Sequence, residues 1–129
     1  MTWDLNGLNT LLSQQQDWAV TAEDDCLCVT NSDGLEAFVA VSGEQIIVES
    51  VLFAVANVAD IAALNLEILK THQFFPLTTV AISTIGSDDY YIAFGALSSQ
   101  SKEESVLQEM EALFDNVEGF LDAYEEHLN

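Results

Sequence analysis

The spacing of apolar residues changes period four times along this chain, and that succession limits the folds it can adopt. Residues 2–16 have helical spacing, residues 18 to about 55 alternate with a period of two, and residues 59–75 are helical again. Alternation returns over residues 77–97, and the segment from Ser101 onward is helical. Runs of alternating strands between helices predict an α+β fold with an antiparallel sheet.

Turn residues divide the alternating segments into short strands. Asp24-Asp25, Asp33-Gly34 and Ser42-Gly43 separate the strands of a meander, and residues 86–89 separate a later hairpin pair. The predicted order is α-β-β-β-β-α-β-β-α, with five to six strands in a twisted antiparallel sheet and helices packed on it. Because 129 residues suffice for one core and no linker is apparent, residues 1–129 are predicted to form a single domain.

The predicted helix ends carry recognisable signals. Asp4 and Asp60 are suited to cap the first and second helices, and Ser101 with Glu104 forms a capping-box pattern before the third. Pro76, the single proline, closes the second helix.

The final helix has the widest apolar face. Its main stripe consists of Leu107, Met110, Phe114, Val117, Leu121, Tyr124 and Leu128, and beside it lie Val106, Leu113 and Phe120. Two adjacent stripes exceed a simple coiled-coil seam, so one can pack on the sheet while the other faces a partner. The predicted partner-binding residues are Leu64, Ile68, Val106, Leu113 and Phe120. The alternative is that all of them belong to the protein's own core.

Charge excludes several classes of function. The chain has 22 acidic residues against two lysines, for a formal net charge of −20. Such a surface repels nucleic acids and anionic membranes, and it suits a basic protein partner or high solubility. The N-terminal residues lack the features of a signal peptide, and two cysteines suit a reducing compartment, so a cytoplasmic location is expected.

The two cysteines lie one residue apart, in the stretch DCLCVTN. On a strand Cys26 and Cys28 share one face, with Leu27 and Val29 on the other, which predicts a strand covered on both sides and buried, inert thiols. A metal or redox role is the alternative, although Asp24 and Asp25 would raise a thiol pKa.

The remaining residues provide no convergent catalytic pattern. His72 and His127 lie near helix ends, where capping or packing is the expected role. No nucleophile elbow, phosphate loop or calcium loop is present. The sequence therefore predicts no enzyme activity, no cofactor, no metal site and no catalytic residue.

Two stretches carry a family resemblance: the opening Trp3, Leu5 and Leu8, and the strand YYIAFGALS at 90–98. They resemble the YjfI-like family of bacterial proteins, and the order of elements resembles the fold of class I type III secretion chaperones. The resemblance implies a non-enzymatic protein that binds another protein, with a PspA-type protein as a possible partner, and a homodimer. The function expected is thus a small acidic, chaperone-like adaptor.

The alternative from another class is a small-ligand-binding protein or an enzyme. It requires a pocket between the sheet and the helices, near Cys26, Cys28 and His72.

Overall fold

Six strands form one antiparallel sheet, and three α-helices pack on it, in a computed structural model that describes residues 2–129. The elements in chain order are α1 Leu5–Ser13, β1 Ala19–Ala22, β2 Leu27–Thr30, β3 Glu36–Ser42, β4 Gln45–Ala54, α2 Ile61–Thr71, β5 Thr79–Ile85, β6 Asp88–Ser98 and α3 Glu103–Tyr124. The predicted fold class and element order are therefore confirmed.

The strands lie in the order β1-β2-β3-β4-β6-β5. The first four form the predicted meander, and α2 then carries the chain past the place that β6 occupies, so β5 becomes an edge strand. The register opposes Phe38 to Glu49 and Glu49 to Phe94, and it shifts at a bulge between Val51 and Phe53. The hairpins β1–β2, β2–β3, β3–β4 and β5–β6 were predictable from local turn residues, whereas the insertion of β6 beside β4 depends on distant contacts.

Two of the predicted helix caps form as expected. The Asp4 carboxylate accepts a hydrogen bond from the Gly7 amide at 2.8 Å, and the Asp60 carboxylate accepts one from Ala63 at 3.1 Å. The predicted capping box is wrong, because Lys102 occupies the N-cap of α3 and no side chain caps it.

Ser101 serves a different purpose. Its carbonyl oxygen accepts a hydrogen bond from the Trp3 indole at 2.7 Å, and its amide donates to the carbonyl of Ser98. This loop therefore ties the N-terminal segment to the end of β6.

All three helices cover the same face of the sheet. α1 packs on β1 and β2, and α3 crosses β4 and β6. α2 is joined to β6 by a hydrogen bond from the Tyr91 hydroxyl to Asn65. Between the layers lies one apolar core, which includes Leu8, Leu12, Leu27, Val39, Ile46, Met110 and Phe120. Burying such side chains contributes about 1.5–3 kcal/mol each. Within residues 2–129, no helix is long and apolar enough to span a bilayer.

Candidate protein-binding surface

The five residues predicted to bind a partner lie in the core. Leu64, Ile68, Val106, Leu113 and Phe120 are each at most 5 % exposed. Both apolar stripes of α3 pack against the sheet or against neighbouring helices, because the sheet is wide enough to contact both. The prediction that these side chains face a partner is therefore wrong for the folded chain, and the core alternative describes them.

The face of the sheet opposite the helices is uncovered within residues 2–129. Successive side chains of a strand point to opposite faces, so the residues that alternate with the buried strand positions share this second face, named here the open face. Its central row crosses the sheet from β2 to β5 through Cys28, Phe38, Glu49, Phe94 and Thr79.

Most side chains on the central strands of the open face are apolar: Phe38, Ala40, Ile47, Val51, Ile92 and Phe94. Val51 is 43 % exposed, Phe38, Ile47 and Phe94 are half-buried by their neighbours, and Ile92 is only 8 % exposed. A shallow depression of about 310 Å³ lies between Asp25, Phe38, Ile47 and Glu49. A contiguous uncovered apolar surface of this kind is typical of a protein-binding site.

The charges on the open face are all negative. Glu36 and Glu49 project from β3 and β4, and Asp25 lies beside them at the start of β2. None of the six strands contains a lysine, arginine or histidine. The open face therefore combines an apolar centre with carboxylates, which suits a partner segment that is both apolar and basic.

Cys26 and Cys28 belong to this face. The prediction that their strand is covered on both sides is wrong, since Leu27 and Val29 are buried but both thiols are half-exposed. Each Sγ lies 3.7 Å from a carboxylate oxygen, Cys26 from Glu23 and Cys28 from Glu36. Burial and these carboxylates raise both thiol pKa values, so the predicted inertness of the thiols is supported although their burial is only partial.

The pocket that the alternative function needs is not formed by the residues proposed for it. Cys26 and Cys28 lie towards the β1 edge on the open face, whereas His72 lies next to β5 at the opposite edge. The Nε2 atom of His72 accepts a hydrogen bond from the Val80 amide at 3.1 Å, which agrees with a packing role.

His127 also has a structural partner. Its Nε2 lies 3.2 Å from a carboxylate oxygen of Glu67 on α2, and the Glu126 carboxylate lies nearby. This contact joins the C-terminal turn to α2.

A second exposed apolar surface lies where α2 meets the edge strand β5. Leu66 and Leu69 of α2 are 54 % and 76 % exposed, and Ile82 of β5 is about half exposed. A groove of about 250 Å³ runs between the two elements, over Ile68 and Val80. This group of residues is named the α2–β5 surface. β5 contains no charged residue.

The sequence analysis missed the open face as a binding surface, although its signal was present. Alternation places Tyr90, Ile92 and Phe94 on one face of their strand, and the strand register agrees. Alternation identifies which residues share a face, but it does not tell which face the helices cover. Glu36 and Glu49 do indicate which face is uncovered. Carboxylates are rarely buried without a partner, so the strand face that carries them is expected to be in contact with water.

Solved structures with similar folds cover almost the whole chain. The crystal structure of YbjN from E. coli superposes with a TM-score of 0.74 at 14 % identity, over 97 % of this chain and 96 % of that one. A chain from the crystal structure of the ExsC–ExsE complex gives a TM-score of 0.56 at 12 % identity, over 92 % and 94 %. At these identities the likeness establishes the fold, and it confirms the predicted resemblance to secretion chaperones.

Sequence relatives are closer. The protein YjfI of E. coli strain K12 is 30 % identical over 131 residues, which cover 98 % of each chain, and YjfI of E. coli O157:H7 matches equally. Residues 2–128 match the model of a family described as uncharacterised proteins conserved in bacteria, DUF2170. The predicted resemblance is thus confirmed, and the chain belongs to the DUF2170 family.

Proposed function

We propose that this protein is a chaperone-like adaptor that binds a basic, apolar segment of another protein on the open face. The observation that carries this proposal is the composition of that face, an apolar centre around Phe38 and Phe94 with Glu36 and Glu49 as its charges. Burial of apolar area supplies affinity, while the carboxylates and the net charge of −20 speed the approach of a basic partner.

The fold comparison supports this proposal. A neighbour of this fold was crystallised as a complex of ExsC with ExsE, so the architecture is compatible with binding a second protein. The proposed location is the cytoplasm, and a PspA-type protein is the first candidate partner, because the family resemblance points to that class.

The proposed assembly is a homodimer that forms through the α2–β5 surface. An edge strand with free backbone groups can pair with the same strand of a second copy. Because β5 is uncharged, two chains of net charge −20 meet there with less repulsion than at the acidic surfaces. Leu69 and Ile82 would supply apolar contact area on the helix-covered side of the paired strands.

Capture from a lysate of the native organism, with matched variants, tests the adaptor proposal. Val51→Lys places a charge at the centre of the open face. Glu118→Lys places the same residue on the exposed side of α3 and leaves the open face unchanged. The same basic protein should be recovered with the parent and with Glu118→Lys, and it should be lost with Val51→Lys. Its recovery with all three, or with none, contradicts the proposal.

A further inference from the structure

A cleft lies at the edge of the sheet where β5 is shorter than β6. β5 pairs with β6 only as far as Thr79 opposite Phe94, so Gly95 and the residues after it have no strand neighbour on that side. The cleft has a volume of about 550 Å³, and its lining includes Leu77, Thr79, Phe94, Gly95 and Glu109. Thr79 and Phe94 also belong to the open face, so the two sites adjoin.

Glu109 of α3 is a buried acid without a counter-charge. It is 7 % exposed, and within residues 2–129 its Oε2 atom has no hydrogen-bond partner. Within residues 2–129, the one close contact between a basic and an acidic side chain joins His127 to Glu67, and neither residue lines the cleft. Burial raises the pKa of Glu109. Buried carboxylates are normally paired, so this one requires a physical reason.

Two acceptor oxygens converge above Gly95. A side chain at that position would collide with the Oε2 atom of Glu109, and its Cβ would lie 3.0 Å from the carbonyl oxygen of Leu77. Only glycine leaves this space open, and the space is bounded by acceptors.

The segment that contributes Leu77 is held in a strained conformation. Leu77 has a φ of 72°, the only positive φ of a non-glycine residue within residues 2–129. Such backbone costs roughly 1–3 kcal/mol. The Asn116 amide of α3 holds the segment by donating to the Pro76 carbonyl at 2.8 Å and to the Thr78 hydroxyl at 2.7 Å.

Among residues 2–129, no cationic side chain pairs with Glu109. His72 lines the cleft, but its Nε2 accepts a hydrogen bond from the Val80 amide and so has no proton to donate to Glu109. Lys70 and Lys102 are exposed and form no ion pair with Glu109, and the chain contains no arginine. These two acceptor oxygens are therefore available to a cationic donor from another molecule.

We propose that this cleft receives one cationic side chain, with arginine the best fit, from the protein segment that covers the adjoining open face. This inference rests on the proposed adaptor function and identifies one feature of its partner. A guanidinium group has five donors in a planar fork and can bond the Glu109 carboxylate and the Leu77 carbonyl together. Lysine offers a point charge and fits the two acceptors less well.

A titration with a small probe tests the cleft without any partner. N-acetyl-arginine amide is added to ¹⁵N-labelled protein, and the amide shifts of Leu77, Thr78 and Gly95 are followed by NMR. We expect saturable shifts at these residues. The citrulline analogue, which has nearly the same shape but no charge, should bind at least about tenfold more weakly, because the charge-assisted bond is lost.

Two variants provide the matched comparison. Glu109→Gln should weaken binding of the arginine probe at least about tenfold, whereas Glu111→Gln, an exposed site on the same helix, should leave it unchanged. Equal shifts with the arginine and citrulline probes, or no shifts at all, overturn the proposal. Unweakened binding by a folded Glu109→Gln protein also overturns it. If that variant does not fold, the comparison of the two probes on the parent protein decides alone.

The proposal for the cleft and the proposal for the open face can be contradicted independently. Val51→Lys should remove capture of the partner but leave probe binding unchanged. If the probe binds but no partner is captured on the open face, the adaptor function is contradicted and the proposal for the cleft still holds. Partner capture that depends on Val51, with no probe binding, would contradict only the cleft.

Discussion

The carboxyl of Glu109 and the thiols of Cys26 and Cys28 are titratable groups that lie in partly or fully apolar surroundings. Burial raises the pKa of all three groups, and carboxylates beside the thiols raise theirs further. The consequences differ in sign. A thiol is already mostly neutral at physiological pH, and a raised pKa keeps it neutral. A carboxyl is normally charged at that pH, and a raised pKa makes the charged form of Glu109 less favourable.

Glu109 should reduce stability near neutral pH. The unfolded carboxyl titrates near 4.5 and the folded one at higher pH, so the folded state binds more protons between the two values and loses stability as pH rises through them. Glu109→Met should therefore raise the free energy of unfolding by about 1 kcal/mol near pH 8, with a smaller gain near pH 5. Urea unfolding at both pH values measures this. An equal gain at both, or a loss near pH 8, would contradict the account.

The thiols should be slow nucleophiles. At about pH 7.5 Cys26 and Cys28 should react with Ellman's reagent more slowly than free cysteine does, because less thiolate is present when the pKa is raised. Rates measured under native conditions, with the urea-unfolded protein as control, test this. Faster reaction in the folded protein than in the unfolded one would indicate a reactive site instead.

The sequence predicted local features, such as helix caps, better than it predicted where a side chain lies in the fold and how exposed it is. The Asp4 and Asp60 caps follow from their own backbone neighbours and were predicted correctly. The exposure of Cys28 and the isolation of Glu109 could not be predicted, because both depend on which sheet face the helices occupy and on where β5 ends. In the sequence, Glu109 looks like the other acidic residues of a helix that is rich in them.

At the scale of elements, α3 shows that a wide apolar face on a helix is not by itself evidence of a partner protein. The helix is 22 residues long, and both of its stripes meet the sheet or a neighbouring helix. Phe120 packs between Phe75 and Tyr124, with ring centroids 4.3 and 5.9 Å away. In α2, by contrast, one side is buried through Leu64 and Ile68 and the other exposes Leu66 and Leu69. Exposed leucines beside an edge strand are the better signal for association.

Two matched leucine truncations separate these roles. Leu113→Ala in α3 should cost about 2–5 kcal/mol in unfolding free energy, because it opens a cavity in the core. Leu69→Ala, at a site 76 % exposed, should cost less than about 1 kcal/mol in the monomer. Chemical unfolding at low protein concentration measures both. Similar costs for the two variants would show that the burial described for α3 is incorrect.

The edge strand gives a prediction about assembly. Ile82→Lys places a charge where two β5 strands would pair, so it should convert the dimer to a monomer, as charged residues on edge strands do. Multi-angle light scattering measures the mass, and Val51→Lys, with the same charge change on the open face, is the control that should remain dimeric. A monomeric parent protein, or an Ile82→Lys dimer, would contradict the proposed interface.

At the scale of the whole molecule, the fold separates three surfaces. Helices cover one face of the sheet, the open face is apolar with carboxylates, and the α2–β5 surface is apolar and nearly uncharged. The alternation and helix periods predicted the element order and the single sheet. They could not predict that β6 lies between β4 and β5, since strand order follows from long-range packing that local spacing does not encode.

The most direct test of the central claim is site-specific photo-crosslinking in cells of the native organism. A photoreactive amino acid replaces Val51 on the open face, Leu69 on the α2–β5 surface, or Glu118 on the outer side of α3. The account predicts a crosslink to one basic protein from position 51, a crosslink to a second copy from position 69, and neither from position 118. Absence of a crosslink to another protein from position 51, or the same product from all three positions, would contradict it.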